Sequence, residues 1–593
     1  MSKKPVVKTC LTHFMATCII ASGLSSSHAV FAQSTLAPPA AAQPHAINPA
    51  DTYLQRQEHD RRIRQEERTS GRQLQSLVDS PVQHPERLPE ELPCFPVESV
   101  QINTTIAGHD WHKALNGPQG DDSPVGRCLG GAGISLLIAR LQNAVLRQGY
   151  ITSEVLAPEQ NLTEGVLTLE VQAGRIGDIR TISENSSVAS NIWTLRTGDI
   201  LKLGALEQSA EHLLRLPGLA SRLQIVPGRE TGTSDIELHL GKPSPLRLSA
   251  GLHDGGNRST GKLMGTTSLS WDNPLGVADQ LNISACTAVG WREDGPRSNR
   301  CHALQYSVPV GWWLFSGGIS DSHFYQTVFG AFQNYRYGGR SEQAELGAQR
   351  VIDRDGSGST AAVFTLRKRA SANFIDDQEI EVQRRRTSLW EASLQHMRQW
   401  SDAQLTGRIG MRHGIGAFGA LPPPEAAAGE SSARMQLLTA QATYAQRWSW
   451  LAQTWTHTSD WLSQWNQTPL TPQDRFCIGF RGSLRGLDGQ QTACGNRGWQ
   501  WRNEVATGLN HAFAALTGKA VQAYVAIDMA RVSETGFASQ LHFSSVAFGL
   551  RGAFDPSDSS RLSWDIFAGT PISKPDHFQT ASLASGFNLR IDF

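Results

Sequence analysis

The region from Pro243 to Phe593 is a succession of short segments in which apolar and polar residues alternate. Each segment has about ten residues and ends in a turn rich in Gly, Asp, Asn or Pro, which suits strands that cross a membrane at a tilt. The pattern predicts a transmembrane β-barrel of about 16 antiparallel strands. An open soluble β-sandwich is the alternative, but these segments offer no second packed face. Clear examples are Leu263–Trp271, Gln280–Ala288, Trp313–Ser320, Ala523–Met529 and Leu562–Ala568.

The composition of the chain agrees with a barrel. Hydrophobic residues make up only 39% of it, although it has 55 Gly and 16 Trp, because every second residue of a barrel strand faces water. The formal net charge is zero, which argues against a nucleic-acid partner held by a basic field. Tryptophans gather at the ends of segments, as an interfacial girdle requires. These are Trp271, Trp291, Trp312, Trp313, Trp448, Trp450, Trp499 and Trp501.

The two ends of the chain indicate a bacterial outer-membrane destination. Residues 1–32 combine a basic start, the apolar stretch Cys10–Leu24 and a small-residue cleavage site, which predicts a secretory signal peptide. No later run of about eighteen apolar residues could form a spanning helix. The last strand alternates and stops on Phe593. A terminal Phe resembles the signal by which the barrel-assembly machinery recognises outer-membrane proteins.

Three segments precede the first folded region. Residues 33–50 lack Asp, Glu, Lys and Arg and form a flexible leader. Residues 51–72 are dense in charge and pair Glu58 with Arg62 at helical spacing. A helix that is polar all round is either a solvated spacer or a plug in a polar channel, and both remain open. Residues 73–93 contain four prolines and form a linker.

Residues 94–242 change to a mixed α/β pattern that repeats once. A strand, a helix with apolar residues at a period near 3.6, and two further strands occupy residues 94–174. The same order returns over residues 175–242. We therefore expect two small tandem modules whose edge strands could accept an extended peptide. The candidate peptide contacts are Leu141, Asn143, Tyr150 and Arg215.

Six cysteines remain after the signal peptide, and they fall into close pairs. In an exported protein this favours three local disulfides, and the spacing does not suit zinc. The pairs are Cys94 with Cys128, Cys286 with Cys301, and Cys477 with Cys494.

One Gly- and Arg-rich segment, Phe476–Glu504, is too charged to face lipid. If Arg485 lies inside the barrel it needs an acidic partner, because an unpaired buried charge is costly. Asp528 is the best candidate, since its neighbours Ile527 and Met529 would then face lipid. Gly486 leaves room for close approach of the backbone. A solvated loop arginine is the alternative.

Several motifs resemble the transporters of two-partner secretion, the haemolysin secretion/activation family. The resemblance lies in Pro93-Cys94-Phe95-Pro96, Gly126-Arg127-Cys128-Leu129, Gly149-Tyr150-Ile151-Thr152, Ser270-Trp271-Asp272-Asn273-Pro274-Leu275-Gly276, Tyr306-Ser307-Val308-Pro309 and Leu484-Arg485-Gly486-Leu487-Asp488-Gly489.

The resemblance implies an N-terminal plug helix, two polypeptide-transport-associated (POTRA) modules and a barrel. It also implies that a loop at about 462–497 folds into the lumen, where the motif Leu484, Arg485, Gly486 and Leu487 meets Asp528. Leu487 replaces the usual aromatic residue, and Ala530 stands near a usual glycine. The pair Cys477 and Cys494 is also unexpected and would restrain the loop.

The function implied is export, without ATP, of one unfolded partner protein such as an adhesin, a haemolysin or a contact-dependent inhibition toxin. The partner would carry an N-terminal two-partner-secretion domain. No phosphate-binding loop, metal-ligand cluster or nucleophile motif indicates an enzyme or a cofactor. The calcium-like stretch Asp353–Gly358 lacks its closing Glu and is interpreted as a turn. An insertase for other barrels and a passive porin are the alternatives.

Overall fold

The computed structural model describes residues 87–593 except 108, 184–189, 242–243, 291–296, 510–520, 534–539 and 558. The predicted signal peptide, leader and polar helix, the linker as far as residue 86, and Trp291 lie outside the described residues. Within the described part, no helix is long and apolar enough to cross a membrane.

The first module is a three-stranded sheet packed against one long helix. Strand β5 is central, parallel to β2 and antiparallel to β4. The apolar residues of α2 recur along one face, so Leu137, Leu141 and Val145 are fully buried against the sheet. The elements are β1 (Phe95–Val97), β2 (Ser99–Thr104), α1 (His112–Leu115), β3 (Arg127–Leu129), α2 (Gly131–Arg147), β4 (Glu154–Leu156) and β5 (Val166–Gln172).

Two contacts hold the residues before β2 against the first module. The Glu91 carboxylate accepts hydrogen bonds from the backbone N–H groups of Gly130, Ala132 and Gly133 at the start of α2, where negative charge is favoured. Burial opposes ionisation of Glu91, but these N–H groups lower its pKa. Beside them, the Cys94–Cys128 disulfide joins the strand pair β1 and β3.

The second module repeats the topology of the first, which confirms the predicted repeat. Its sheet has the order β6-β8-β7, with β6 parallel and β7 antiparallel to the central β8. Leu206 and Leu213 of its helix pack against Ile236 and Leu238 of the central strand. The elements are β6 (Arg175–Ile182), α3 (Leu203–Leu214), β7 (Ser221–Pro227) and β8 (Thr233–Leu240).

Within the described residues, sixteen antiparallel strands form a closed barrel, as the alternating pattern predicted. Strand β16 (Gln378–Glu379) only extends the rim at β15, and β21 (Phe476–Ile478) and β22 (Ala493–Gly495) pair within one loop. The barrel strands are β9 (Leu246–His253), β10 (Met264–Asp272), β11 (Gln280–Ala288), β12 (Ser298–Val310), β13 (Trp313–Phe329), β14 (Asn334–Asp355), β15 (Gly358–Ile375), β17 (Arg385–Gln399), β18 (Ala403–Ile415), β19 (Gln436–Trp450), β20 (Gln453–Asn466), β23 (Arg497–Gly508), β24 (Val521–Ser533), β25 (Gln540–Ser557), β26 (Ser560–Ser573) and β27 (Ala584–Asp592).

Exposure alternates along the strands, as expected when one face meets lipid and the other the lumen. In β24, Val525, Ile527 and Met529 are exposed, whereas Ala526 and Asp528 are buried. The predicted girdle is partly correct. Its exposed members are Trp271, Trp313, Trp448, Trp450 and Trp501.

Trp312 does not belong to the girdle, which corrects the sequence prediction. Its side chain packs against the hydrophobic core of the second module. The reason is its place in the turn between β12 and β13, which lies at the end of the barrel that meets the module. Sequence alternation alone cannot separate a lipid-facing tryptophan from one that seals a domain junction.

Helix α3 docks the second module onto turns at this end of the barrel. Glu211 forms an ion pair with Arg354 of the β14–β15 turn, and Nε2 of His212 lies 2.7 Å from the carbonyl oxygen of Gly311. The fit is close, because a Cβ on Gly204 would lie 2.2 Å from the carbonyl oxygen of Arg354. The stretch Asp353–Gly358 is therefore a turn that holds the module.

A second set of contacts joins the module to the start of the barrel. The Asn191 side chain donates to the carbonyl oxygens of Val277 and Pro309, each at 2.7 Å. The buried Asp272 carboxylate accepts hydrogen bonds from the backbone N–H of Gly218 and from Arg247. Because the second module contacts turns of several barrel hairpins, these contacts fix its orientation relative to the barrel.

We predict that Glu207→Gln stabilises this junction above pH 7. Burial raises the pKa of Glu207 to about 7, with Arg354 opposing and Asp355 adding to the shift. Because the pKa of Glu207 is higher in the folded protein than in the unfolded chain, the free energy of unfolding falls as pH rises from the unfolded pKa towards 7. The neutral amide of Gln removes this loss. Hydrogen exchange of α3 in the full-length protein should slow at pH 8 in the variant and match wild type near pH 5. Equal exchange at both pH values would contradict the prediction.

Candidate functional site

The segment between β20 and β23, residues 467–496, is here called the lumen loop. It starts after Asn466, so the structure assigns residues 462–466 of the predicted loop to a barrel strand. At its base, β21 pairs with β22 and the Cys477–Cys494 disulfide joins them. Further along, the loop contacts residues on the inner faces of β24, β25 and β26.

Gly486 allows the tip of the lumen loop to touch the wall. A Cβ at this position would lie 2.5 Å from Cβ of Ser545 and 2.7 Å from the carbonyl oxygen of Thr570. The backbone N–H of Gly486 instead donates to Oγ of Ser545 at 3.3 Å. Any larger residue would push the tip, and the neighbouring Arg485, away from the wall.

Arg485 is buried and binds two carboxylates. Its Nε and Nη2 lie 3.1 Å from the two oxygens of Asp528, and its backbone N–H donates to the same carboxylate at 2.9 Å. Its Nη1 lies 2.5 Å from Oε2 of Glu504. The structure thus brings together Arg485 and Asp528, which are 7% and 1% exposed, and adds Glu504 to them.

A second arginine binds the remaining oxygen of Glu504. Nη1 of Arg551 lies 2.6 Å from the other oxygen of Glu504, so two arginines face two carboxylates. The guanidinium groups of Arg485 and Arg551 lie 5.9 Å and 5.3 Å from the ring of Tyr524, within cation–π range. We call Arg485, Arg551, Asp528, Glu504 and Tyr524 the lumen charge network. Charges that are paired in this way tolerate burial, whereas removing one member leaves an unpaired charge.

The sequence motifs do not single out Glu504 or Arg551, although the alternation along β23 already indicates that Glu504 faces the lumen. Trp501 faces outward and Glu504 lies three residues further along β23, on the opposite face. The alternation that placed Asp528 in the lumen therefore also placed Glu504 there. Arg551 required the cross-strand register, which places it opposite Gln522.

Apolar residues on either side of Arg485 fix the tip of the loop. Leu484 and Leu487 are buried and belong to one hydrophobic cluster with residues of the wall. Both departures from the family pattern, Leu487 and Ala530, lie in this cluster. Its other members are Phe476, Ile478, Ala493, Val532, Phe543 and Phe578.

Arg481, which precedes the tip of the lumen loop, contacts the strand pair that closes the barrel. This pair, here called the seam, joins β9 to β27 only from Ser249–His253 to Asn588–Asp592. Arg481 forms an ion pair with Asp254, and its Nη1 lies 3.2 Å from the carbonyl oxygen of Phe587. Asp254 also accepts the N–H of Phe587 at 2.9 Å. One loop residue therefore bridges both strands of the seam.

The predicted peptide contacts in the modules are partly wrong. Leu141 is fully buried in the core of the first module, so it cannot touch a partner while the module is folded. Nη2 of Arg215 donates to Oγ of Ser307 at 2.6 Å, which places this side chain at the barrel junction. Asn143 and Tyr150 are half-buried and stay predictions. The Tyr150 ring lies 5.9 Å from Nζ of Lys202, between the modules.

All three cysteine pairs form disulfides in the structure. Cys286 and Cys301 face each other across β11 and β12. Cys477–Cys494 closes the base of the lumen loop while leaving Leu484–Leu487 outside the linked strands.

A barrel, two tandem modules and a buried inward loop together match one protein family. The model for "Haemolysin secretion/activation protein ShlB/FhaC/HecB" matches residues 232–552, which is more than half of the chain. The chain belongs to this family. A second model, "POTRA domain, ShlB-type", matches residues 121–174 within the first module. The chain is thus an outer-membrane transporter of two-partner secretion, with its modules in the periplasm, as the motifs indicated.

Individual relatives extend the similarity over most of the chain. "Outer membrane transporter CdiB-2" from Burkholderia pseudomallei is 27% identical over 89% of this chain and 93% of its own length. "Hemolysin transporter protein ShlB" from Serratia marcescens is 25% identical over 72% of this chain and 75% of its own. The solved structure of CdiB from Escherichia coli has the same fold, with a TM-score of 0.80 at 23% identity, over 93% of this chain and 100% of that one.

We predict that Arg485→Ala releases the lumen loop. The change leaves Asp528 buried without its partner, which typically costs about 3–5 kcal/mol. The remaining contacts of the loop tip are too few to hold it against the wall at that cost. In planar bilayers the variant should open more often and for longer than wild type. Arg485→Lys keeps the charge but loses the two-point contact, so it should be intermediate. Arg531→Ala, on the same wall strand as Asp528, is the control. Wild-type conductance in Arg485→Ala would contradict the prediction.

We also predict that Arg481→Ala weakens the seam. Losing a charge-assisted contact to Asp254 and Phe587 should cost about 1–3 kcal/mol. The folded barrel, detected by its faster migration in a detergent gel without boiling, should therefore unfold at a lower temperature. Arg258→Ala is the matched control, because Arg258 pairs with Asp488 of the loop and not with the seam. Equal unfolding temperatures for the two variants would argue against a seam role for Arg481.

Proposed function

We propose that this transporter recognises one unfolded partner protein in the periplasm and passes it outward through its own barrel without ATP. The partner would be a secreted adhesin, haemolysin or contact-dependent inhibition toxin with an N-terminal two-partner-secretion domain. The observation that carries the proposal is the lumen loop. It occupies the inside of the barrel through contacts that are individually reversible, namely hydrogen bonds, ion pairs and one apolar cluster.

Recognition would begin at an edge of the module sheets. Strand β2 pairs with β5 on one side of a three-stranded sheet and forms its edge, and its six residues are mostly exposed. An extended segment can add to such an edge through backbone hydrogen bonds, which require little of its sequence. The second module, which directly follows the first in the chain, is docked to the barrel turns by α3, so a bound segment would be held on the periplasmic side of the barrel.

Passage would then require the lumen loop to give way. Arg485 and Asp528 are buried, so they can separate only when water or polar groups of the moving chain replace their contacts. The Cys477–Cys494 disulfide keeps the base of the loop as a hairpin, so the tip around Arg485 is the part that moves. Folding of the partner outside the cell would supply the direction of transport.

The test is export from living cells. Culture medium and outer membranes from wild type, a deletion strain, Arg485→Ala and the control Arg531→Ala would be compared by mass spectrometry. One large protein should vanish from the medium of the deletion strain, and its level in Arg485→Ala should differ from wild type because the loop tip no longer pairs with Asp528. Its level should be normal in the control.

Three other results would reject the proposal. Depletion of several outer-membrane barrels in the deletion strain would identify an insertase. Full export by a strain lacking residues 94–242 would show that the modules are not needed to recognise the partner protein. If the deletion strain released the same proteins into the medium as wild type, the barrel would be only a passive pore.

A further inference from the structure

Charged side chains form two adjacent rows on the outer face of strands β12–β17, near the end of the barrel opposite the modules. In the upper row, Arg300 faces His323 and His323 faces Arg340 across neighbouring strands. In the lower row, the register runs through His302, Asp321, Glu342, Ala370 and Arg386. These side chains point outward, because the residues between them on each strand are buried in the barrel.

The rows lie immediately above the surface that faces lipid. One step further towards the modules, the same strands pair Leu304 with Ile319 and Ala344 with Lys368. Leu304 and Ile319 are exposed apolar residues, and so is Leu346 two residues beyond Ala344. Charge on the outer face of a barrel is tolerated only near the interface. The two rows therefore mark the level of the lipid headgroups in the outer leaflet.

Cations predominate in this patch, and three of them lie on the neighbouring strands β14, β15 and β17. The small residues Ala370 and Ala372 of β15 lie between Arg340 on β14 and Arg386 on β17, whose Cα atoms are about 12 Å apart for two strand spacings and a two-residue offset. Lys368 lies just below on β15, and its long side chain can extend upward to the headgroup level. Glu342 pairs with Arg340, and Asp321 lies 3.2 Å from His302, so the patch holds acidic groups as well.

We propose that the cluster Arg340, Lys368 and Arg386 binds a phosphate group of the phosphorylated glycolipid in the outer leaflet. Arginine matches phosphate geometry with paired N–H donors, and a lysine contributes charge from the lipid side. Further towards the modules on the same strands β14 and β15, exposed Leu346 and Phe364 would contact the acyl chains of such a lipid, which free phosphate lacks. The neighbouring cations Arg300 and Arg336 give a second phosphate of the same molecule a place to bind.

The test measures lipid bound to the full-length protein in detergent by native mass spectrometry. The probes are bis-phosphorylated lipid A, its dephosphorylated form and phosphatidylglycerol. The double variant Arg340→Gln/Arg386→Gln is compared with Arg350→Gln/Arg398→Gln. The control removes the same charges from the same two strands at the periplasmic end of the barrel.

We expect lipid A to bind the test variant about 30-fold more weakly than wild type, since each cation near a charged surface contributes about 1 kcal/mol. The control variant should bind it like wild type. Dephosphorylated lipid A should bind wild type as weakly as lipid A binds the test variant, a comparison that needs no mutation.

Three results would overturn the proposal. The first is unchanged binding of lipid A by the test variant, and the second is an equal loss in the control. The third is binding of phosphatidylglycerol or dephosphorylated lipid A as tight as that of lipid A, since the site would then not select a phosphorylated glycolipid.

Discussion

The interaction on which the rest of the site depends is the pairing of Arg485 with Asp528 and Glu504 inside the barrel. A charged loop can enter a narrow lumen only if its charge is matched there, because an isolated buried charge is expensive. Two arginines and two carboxylates achieve that match. The apolar contacts of Leu484 and Leu487 then fix the tip laterally. The position of the loop thus follows from charge pairing first and from packing second.

The same loop also connects to the closure of the barrel. Arg485 binds the wall at Asp528, while Arg481 bridges Asp254 and Phe587 across the short seam. Loop position and seam stability are therefore physically linked, since a tip that leaves the wall pulls on a residue four positions earlier in the chain. On the periplasmic side, α3 joins the second module to the barrel turns.

Much of the architecture could be predicted from sequence because a period of two and a period near 3.6 report directly on burial. The strands of the barrel, the repeated module and the inward direction of Asp528 all follow from such local patterns. Contacts between distant elements do not. Trp312 and Arg215 seal the junction of module and barrel, and Arg551 joins the lumen network through strand register. Leu141 shows the opposite error, since a helix residue within a motif proved to be core.

The central claim is that the Asp528 carboxylate holds the tip of the lumen loop. It is tested most directly by hydrogen exchange of the backbone amides of Arg485 and Gly486, which donate to Asp528 and Ser545. In wild type both amides should exchange slowly. In Asp528→Asn, which keeps the size of the side chain and removes its charge, exchange should accelerate at least about tenfold, as expected for a loss above 1.4 kcal/mol. Rapid exchange in wild type, or equally slow exchange in both proteins, would contradict the account.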